Sequence, residues 1–285
     1  IMSNPLLDFS GLPRFADFQT EYVTTAIDAL LKENRTLLEQ VRSDRQPVTW
    51  QNFVQPMVDA NERLSRAWGQ VSHLNAVMNN LQLREVYNQN LPLITQFYAE
   101  LSQDLALFEK FKQLRKSNEF QGLSTARKKI IDNELRDFRL GGAELTADKK
   151  QRFLEIQEAL SKLSSNFSDN LLDATNAFAL YIENEETVKG IPNDVLQMAQ
   201  EQAAADTKVG WKFTLHMPSY LPVMQYANNR DLREKMYHAY VTRASELERI
   251  TEADLDNMPI INSILKLRQE AAELLGYSNY AEVSL

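Results

Sequence analysis

The chain has 285 residues, 44% hydrophobic and 25% charged, which is enough apolar content for a core and excludes intrinsic disorder. Its 31 Lys and Arg against 39 Asp and Glu leave a net charge of −8 with no basic tract, so a nucleic-acid backbone is not the expected partner. Cysteine is absent, which excludes disulfides, thiolate zinc sites, iron–sulfur clusters and cysteine nucleophiles together.

Only 8 Gly and 9 Pro interrupt the chain, which favours long helices over a many-turned β-sandwich. No apolar run approaches the roughly 20 residues that span a bilayer, and no signal-peptide pattern opens the sequence. The expectation is a soluble, cytoplasmic protein without a membrane partner, in which Met2 is the initiator and Ile1 an added residue.

The first twenty residues read as irregular, with Pro5, Gly11 and Pro13. A helix is predicted from about Thr20 to Val41, with Val23, Ile27, Leu30, Leu31, Leu37, Leu38 and Val41 on one stripe. Thr49 is the next N-cap, with Val48 and Phe53 placed as a hydrophobic staple. Pro56 is expected to bend the helix that follows, which should end near Gly69. Another helical stretch spans about Leu81 to Lys116, with Pro92 as its kink or break.

A helical hairpin gives the clearest local signal. Ser124 caps a helix to about Leu140, and Gly141-Gly142 stop it by supplying a positive φ. Thr146 caps the second helix, with Asp148 in its first turn. Phe153, Ile156, Leu160, Leu163, Phe167, Leu171, Ala174 and Phe178 recur at intervals of three and four, as in a coiled-coil seam. A helix of about 30 residues would be roughly 45 Å long. Phe167, in mid-seam, is expected to be buried.

Strand signals are few. Phe178–Glu183 is β-prone, and Trp211, Phe213 and Leu215 alternate with Lys212, Thr214 and His216. These runs flank a helix from Pro192 to Ala205 and suggest a two-stranded element. Helices then resume over Tyr220–Tyr226, Asn229–Ala244 and Pro259–Leu275, with Gly276 as the last C-cap. Asn279–Leu285 reads as the start of a helix that is cut off. The fold class expected is mainly α: an elongated multi-helix domain with a long helical hairpin and a small β element. Its subregions are 1–120, 121–180 and 181–285.

The histidines are His73, His216 and His238, and no His-Glu-x-x-His occurs. Nucleophile-elbow, phosphate-loop and dinucleotide-binding motifs are also absent. Glu234 and His238, four apart on one helix face, are the nearest thing to a metal pair, but a stable site needs a third ligand and none is nominated. They read as a surface pair. His216 falls on the polar face of its strand, and His73 near a helix C-terminus that would favour its charged form. Glu183, Glu185 and Glu186 read as a solvated turn, and Trp50, Trp68 and Trp211 as core. From the residues alone, no catalytic or metal-binding position is assigned, and the substrate-binding positions are unknown.

Several segments nevertheless follow one another in a specific order: Asn4-Pro5-Leu6-Leu7, Val71-Ser72-His73-Leu74-Asn75, Leu83-Arg84-Glu85, Asp132-Asn133 with Leu135-Arg136-Asp137-Phe138, and Asn170-Leu171-Leu172-Asp173-Ala174-Thr175. Pro218-Ser219-Tyr220-Leu221-Pro222-Val223-Met224, Leu232-Arg233-Glu234, Tyr237, Ala239-Tyr240 and Thr242-Arg243-Ala244-Ser245 come next. Leu274-Leu275-Gly276-Tyr277 and Asn279-Tyr280-Ala281-Glu282 complete the series. Together they resemble the N-terminal half of the thimet oligopeptidase and neurolysin family of zinc peptidases. The resemblance implies a mostly helical fold flanking a deep channel, oligopeptide substrates, and a zinc ion held by the C-terminal half. No catalytic or zinc-binding position of this chain would then be assigned, and the missing half would be its partner. The chain would supply most of one channel wall, be inactive alone, and tend to self-associate through uncovered Ile260, Ile261, Ile264 and Leu265. The competing reading is a free-standing helical scaffold or adaptor without catalytic activity.

Overall fold

The computed structural model describes residues 4–247 and 251–285; Ile1 and Met2 lie outside them. The chain divides into two compact units, Ile1–Lys162 with Leu267–Leu285, and Leu163–Lys266.

The first unit is built on helix α1 (Glu21–Ser43), which packs along α2 (Gln55–Val77) and α3 (Leu81–Ser102). The predicted stripe explains this: Val23, Ile27, Leu30, Leu31, Leu38 and Val41 are all buried, joined by Ala26. Before α2, the Thr49 side chain accepts from Asn52 N at 3.1 Å, and Asn52 Oδ1 accepts from Thr49 N at 2.8 Å. This reciprocal box fixes one wide turn, Trp50–Val54. Pro56 then falls at the second position of α2, directly after this wide turn, so the irregular geometry expected of it lies at the helix entry.

Two boundaries differ from expectation. Helix α2 does not end near Gly69 but continues to Val77, because Ala67, Val71 and Leu74 on either side of Gly69 are all buried. The stretch from 81 to 116 does not break at Pro92, which sits inside α3. It breaks at Asp104, whose side chain accepts from Leu107 N at 3.0 Å and starts α4 (Leu105–Lys116). Asp104 also pairs with Arg42 at 2.5 Å, which ties this cap to the end of α1.

Helices α5 (Asn118–Gly122) and α6 (Thr125–Leu140) follow, with Ser124 capping α6. Gly142 at φ 90° lets the chain turn out of α6, and Ala143 N donates to Phe138 O at 2.9 Å across that turn. The next helix, α7, runs over Ala147–Ala177. The two helices of the expected hairpin are both present, but α6 packs chiefly on α4. The α7 seam instead changes character along its length. Phe153 and Ile156 are buried in a small cluster with Ala271, flanked by Leu267, Leu274 and Leu275 of the C-terminal segment. Phe167, expected to be buried, is only half-buried, as are Leu163 and Leu171. Spacing alone marks an apolar face; the depth of burial depends on what lies against it.

The second unit holds the only strands among the described residues. Strand β1 (Leu180–Ile182) pairs antiparallel with β2 (Trp211–Phe213) in the register Leu180–Phe213, Tyr181–Lys212, Ile182–Trp211. Between them lies α8 (Asn193–Ala205), and after them α9 (Met217–Tyr226) and α10 (Arg230–Val241), the latter capped by Asn229. Phe213, Leu215, Val223, Leu232 and Met236 form the centre of this unit's core. Helix α11 (Met258–Leu274) and the short α12 (Tyr280–Ser284) end the chain. The fold is therefore mainly α with a small two-stranded antiparallel sheet, as the sequence implied. Among the described residues, no helix is long and apolar enough to cross a membrane.

Candidate functional site

The sequence-flagged groups stay apart. Glu234 and His238 are both exposed on α10, and no third His, Asp or Glu completes a metal-binding group among the described residues. Two exposed ligands on one helix face do not fit a zinc ion. His73 lies near the end of α2, exposed, its ring 5.5 Å from Phe15. Glu183, Glu185 and Glu186 are solvated, and Glu186 pairs with Lys189 at 2.6 Å. Trp50 is buried; Trp68 is half-buried and stacked on Tyr87 at 4.9 Å, and Trp211 is half-buried against the core of the second unit.

Among the flagged residues, His216 lines a cavity. A pocket of about 430 Å³ in the second unit is bounded by the C-terminal end of α7, by α8, by β2 and by the start of α9. Thr175 and Asn176 come from α7, Met198 and Gln202 from α8, Lys212 from β2, and Ser219 from α9. His216 Nε2 donates to Asn176 Oδ1 at 3.0 Å, which joins the strand exit to the helix end. Ser219 Oγ accepts from Thr214 N at 2.9 Å and holds the turn into α9. Thr175 Oγ1 donates to Leu171 O at 2.7 Å and accepts from Arg243 at 2.9 Å.

Charge at this pocket is neutralised internally. Lys212 Nζ donates to Asp206 Oδ2 at 2.5 Å, and Tyr181 Oη donates to the same oxygen at 2.7 Å. The Lys212 bond, then that from Tyr181, holds the Asp206 carboxyl below its ordinary range, and Asp206 in turn raises Lys212 and Tyr181. A carboxylate with a depressed pKa stabilises the fold above its unfolded value, and the effect is lost as pH falls through the folded value. Asp206→Asn is therefore expected to lower the melting midpoint slightly at neutral pH and not at all in acid. Equal losses at both pH values would mean that the triad is not the cause.

What remains for a ligand is a wall of Phe178, Val195 and Met198 beside amide and hydroxyl groups that both donate and accept. That lining suits a neutral, peptide-like molecule better than an ion. Sequence reading gave no site role to Asn176, Gln202, Thr175 or Ser219, although Thr175 and Ser219 fall in segments that carry the resemblance. They are scattered over 45 residues of sequence (175–219), and no periodicity links them.

Comparison with known proteins is consistent with this architecture. A family model described as the neurolysin/thimet oligopeptidase N-terminal domain matches residues 27–150, and one described as peptidase family M3 matches residues 223–285. Oligopeptidase A of Haemophilus influenzae is 46% identical over 285 residues, 100% of this chain and 41% of the relative. Oligopeptidase A of Escherichia coli is 41% identical over 284 residues, 100% of this chain and 42% of the relative. A probable cytosolic oligopeptidase A of Arabidopsis thaliana is 40% identical over 293 residues, 100% of this chain and 41% of the relative. The chain thus spans about two fifths of the length of the curated relatives it matches, and over that span it is similar to the neurolysin and thimet oligopeptidase family, peptidase family M3.

Proposed function

We propose that this chain is the N-terminal portion of a cytoplasmic zinc oligopeptidase, one that contributes a peptide-holding wall while the zinc site lies in sequence beyond Leu285. The observation that carries the reading is the match over the whole of this chain to an oligopeptidase A relative of which it spans 41%; among the described residues no three His, Asp or Glu side chains stand where they could hold one metal ion. Two segments that carry the resemblance, 170–175 and 218–224, meet at the pocket beside His216, where neutral hydrogen-bonding groups suit a peptide backbone. The face of α11 supports the same reading: Ile260, Ile261 and Ile264 are half-buried and Leu265 is 59% exposed. A partly covered apolar stripe of this kind is a surface that further chain would complete.

The expected result is that the chain alone cleaves no member of a panel of quenched fluorescent peptides, with or without added zinc. A chimera that continues after Leu285 with the remaining sequence of the Haemophilus influenzae relative should gain chelator-sensitive turnover. Zinc-dependent cleavage by the chain alone, free of contaminating protease, would overturn the placement of the zinc site. A folded but inert chimera would favour a scaffold instead. The isolated chain should also associate with rising concentration in sedimentation, through the α11 face. A strict monomer that binds no apolar dye would contradict that part of the reading.

A further inference from the structure

A second cavity, in the first unit, has a lining unlike the one beside His216. It encloses about 250 Å³ between α1, α2, α3, α4 and α6. That is below the roughly 300–1,000 Å³ of sites for drug-sized ligands, so its occupant is no larger than a single side chain or a small molecule. Val58, Phe97, Leu101 and Phe138 supply an apolar wall. The polar groups are mainly acceptors. Asn34 spends its amide N–H groups on Leu30 O at 2.9 Å and Ala60 O at 3.1 Å, which leaves its oxygen to offer. Tyr98 Oη donates to Asn61 Oδ1 at 2.8 Å, which leaves the phenol oxygen as an acceptor.

Glu134 completes the lining. It stands one helical turn from Phe138 on the same face of α6. Among the described residues its carboxylate has no hydrogen bond and no ion pair. Arg35, which lies over the Phe97 ring that lines the pocket, is committed to Glu100 at 2.6 Å. Although Glu134 is exposed at its outer edge, the protein crowded around it disfavours the charged form first, and the charge of Asp137 second, so its carboxyl titrates above the ordinary range. Desolvation also pushes the Tyr98 phenol up. The carboxylate stands at the exposed rim of an apolar pit that also presents the Asn34 and Tyr98 oxygens, beside the amide N–H groups of Asn61, and a cationic donor with an apolar body complements that lining.

We infer that this pocket binds a small organic ammonium ion, a positive amine on a compact apolar group, with Glu134 as its counter-ion. The apolar group fills the space between Phe97, Leu101 and Phe138, and the amine donates to Glu134 and to the Tyr98 oxygen. The inference is independent of the peptidase reading and would survive its failure. Two sources carry this chemistry, a free amine and the N-terminal residue of a peptide.

Calorimetry and amide-shift mapping on the full chain test it, with L-phenylalaninamide as the cation, N-acetyl-phenylalaninamide as its neutral analogue, and the tripeptide Phe-Gly-Gly as the peptide. The cation should bind saturably, with shifts centred on the pocket. The neutral analogue should bind at least about tenfold more weakly, as loss of a charge-assisted hydrogen bond implies. Glu134→Gln should weaken the cation by the same factor, and Val58→Trp, which fills the pocket from its exposed edge, should abolish binding. Binding of the tripeptide as well would identify a peptide N-terminus as a source; binding of the amide alone would identify a free amine. No saturable binding of the cation, or equal binding of the cation and its neutral analogue, overturns the proposal. If Val58→Trp fails to fold, Glu134→Gln and the neutral analogue still decide.

Discussion

Phe108→Ala is expected to destabilise the first unit by about 3–5 kcal/mol, as truncation of a fully buried Phe does. Phe108 is 0% exposed on α4. Its ring centroid lies 5.5 Å from that of Phe138 on α6, and Phe111, one turn on, lies 5.6 Å from the same ring. Lys112 Nζ sits 4.0 Å above the Phe108 ring and Arg139 approaches it at 5.7 Å, so the aromatic face also holds two cations. Removal of the ring empties a space that both α4 and α6 face. Domains are typically stable by only about 5–15 kcal/mol, so this one change takes roughly a fifth or more of the total. Urea unfolding followed by far-UV dichroism checks it. A loss below about 1 kcal/mol would mean that α4 does not pack on α6 as described.

Local signals in this sequence were legible and long-range ones were not. Thr49, Ser124 and Asn229 each cap a helix, because a cap is made by one side chain and the backbone two or three residues ahead. The two strands were also legible, since alternation at Trp211–Leu215 needs no knowledge of a partner. Gly69 and Pro92 misled for a shared reason. Each is a weak local breaker inside a helix whose buried face continues past it: Ala67, Val71 and Leu74 around Gly69, Leu83, Ile94 and Phe97 around Pro92. A helical Gly costs about 1 kcal/mol and a Pro about 3, less than the burial gained by several such residues. The α7 seam misled differently, because its period marks a face without naming what covers it. The pocket beside His216 was invisible for the same reason. Its polar groups converge from α7, α8, β2 and α9, elements that meet through the pairing of β1 with β2 and the packing of α8 on β2 and α9.

That pairing depends on one residue. Gly210 has φ 87° and leads directly into β2, where Trp211 pairs with Ile182. A Cβ at this position would stand 2.1 Å from Ile182 O and 2.9 Å from Ile182 C. Both are backbone atoms of the partner strand, so no side-chain rotation relieves the overlap. Gly210→Ala must therefore separate the strands at that end or move the turn. The left-handed conformation alone costs of order 1–3 kcal/mol for a residue with a Cβ, and the overlap with the carbonyl adds to it. The sheet has only three cross-strand pairs, so displacement of the first leaves little pairing to hold the rest. Phe213 and Leu215, 0% and 1% exposed, would lose their seat in the core of the second unit. Lys212 and Thr214, which line the pocket, would move with them. Reduced hydrogen-exchange protection across β1 and β2, a weaker near-UV signal from Trp211 and a lower unfolding midpoint are the expected readouts. Gly122→Ala is the control. Gly122 is exposed, lies in α5, and a Cβ there meets nothing within 4 Å, so that change should be neutral or stabilise by up to about 1 kcal/mol. If both substitutions leave the protein unchanged, the strand register is wrong, and with it the convergence of groups beside His216.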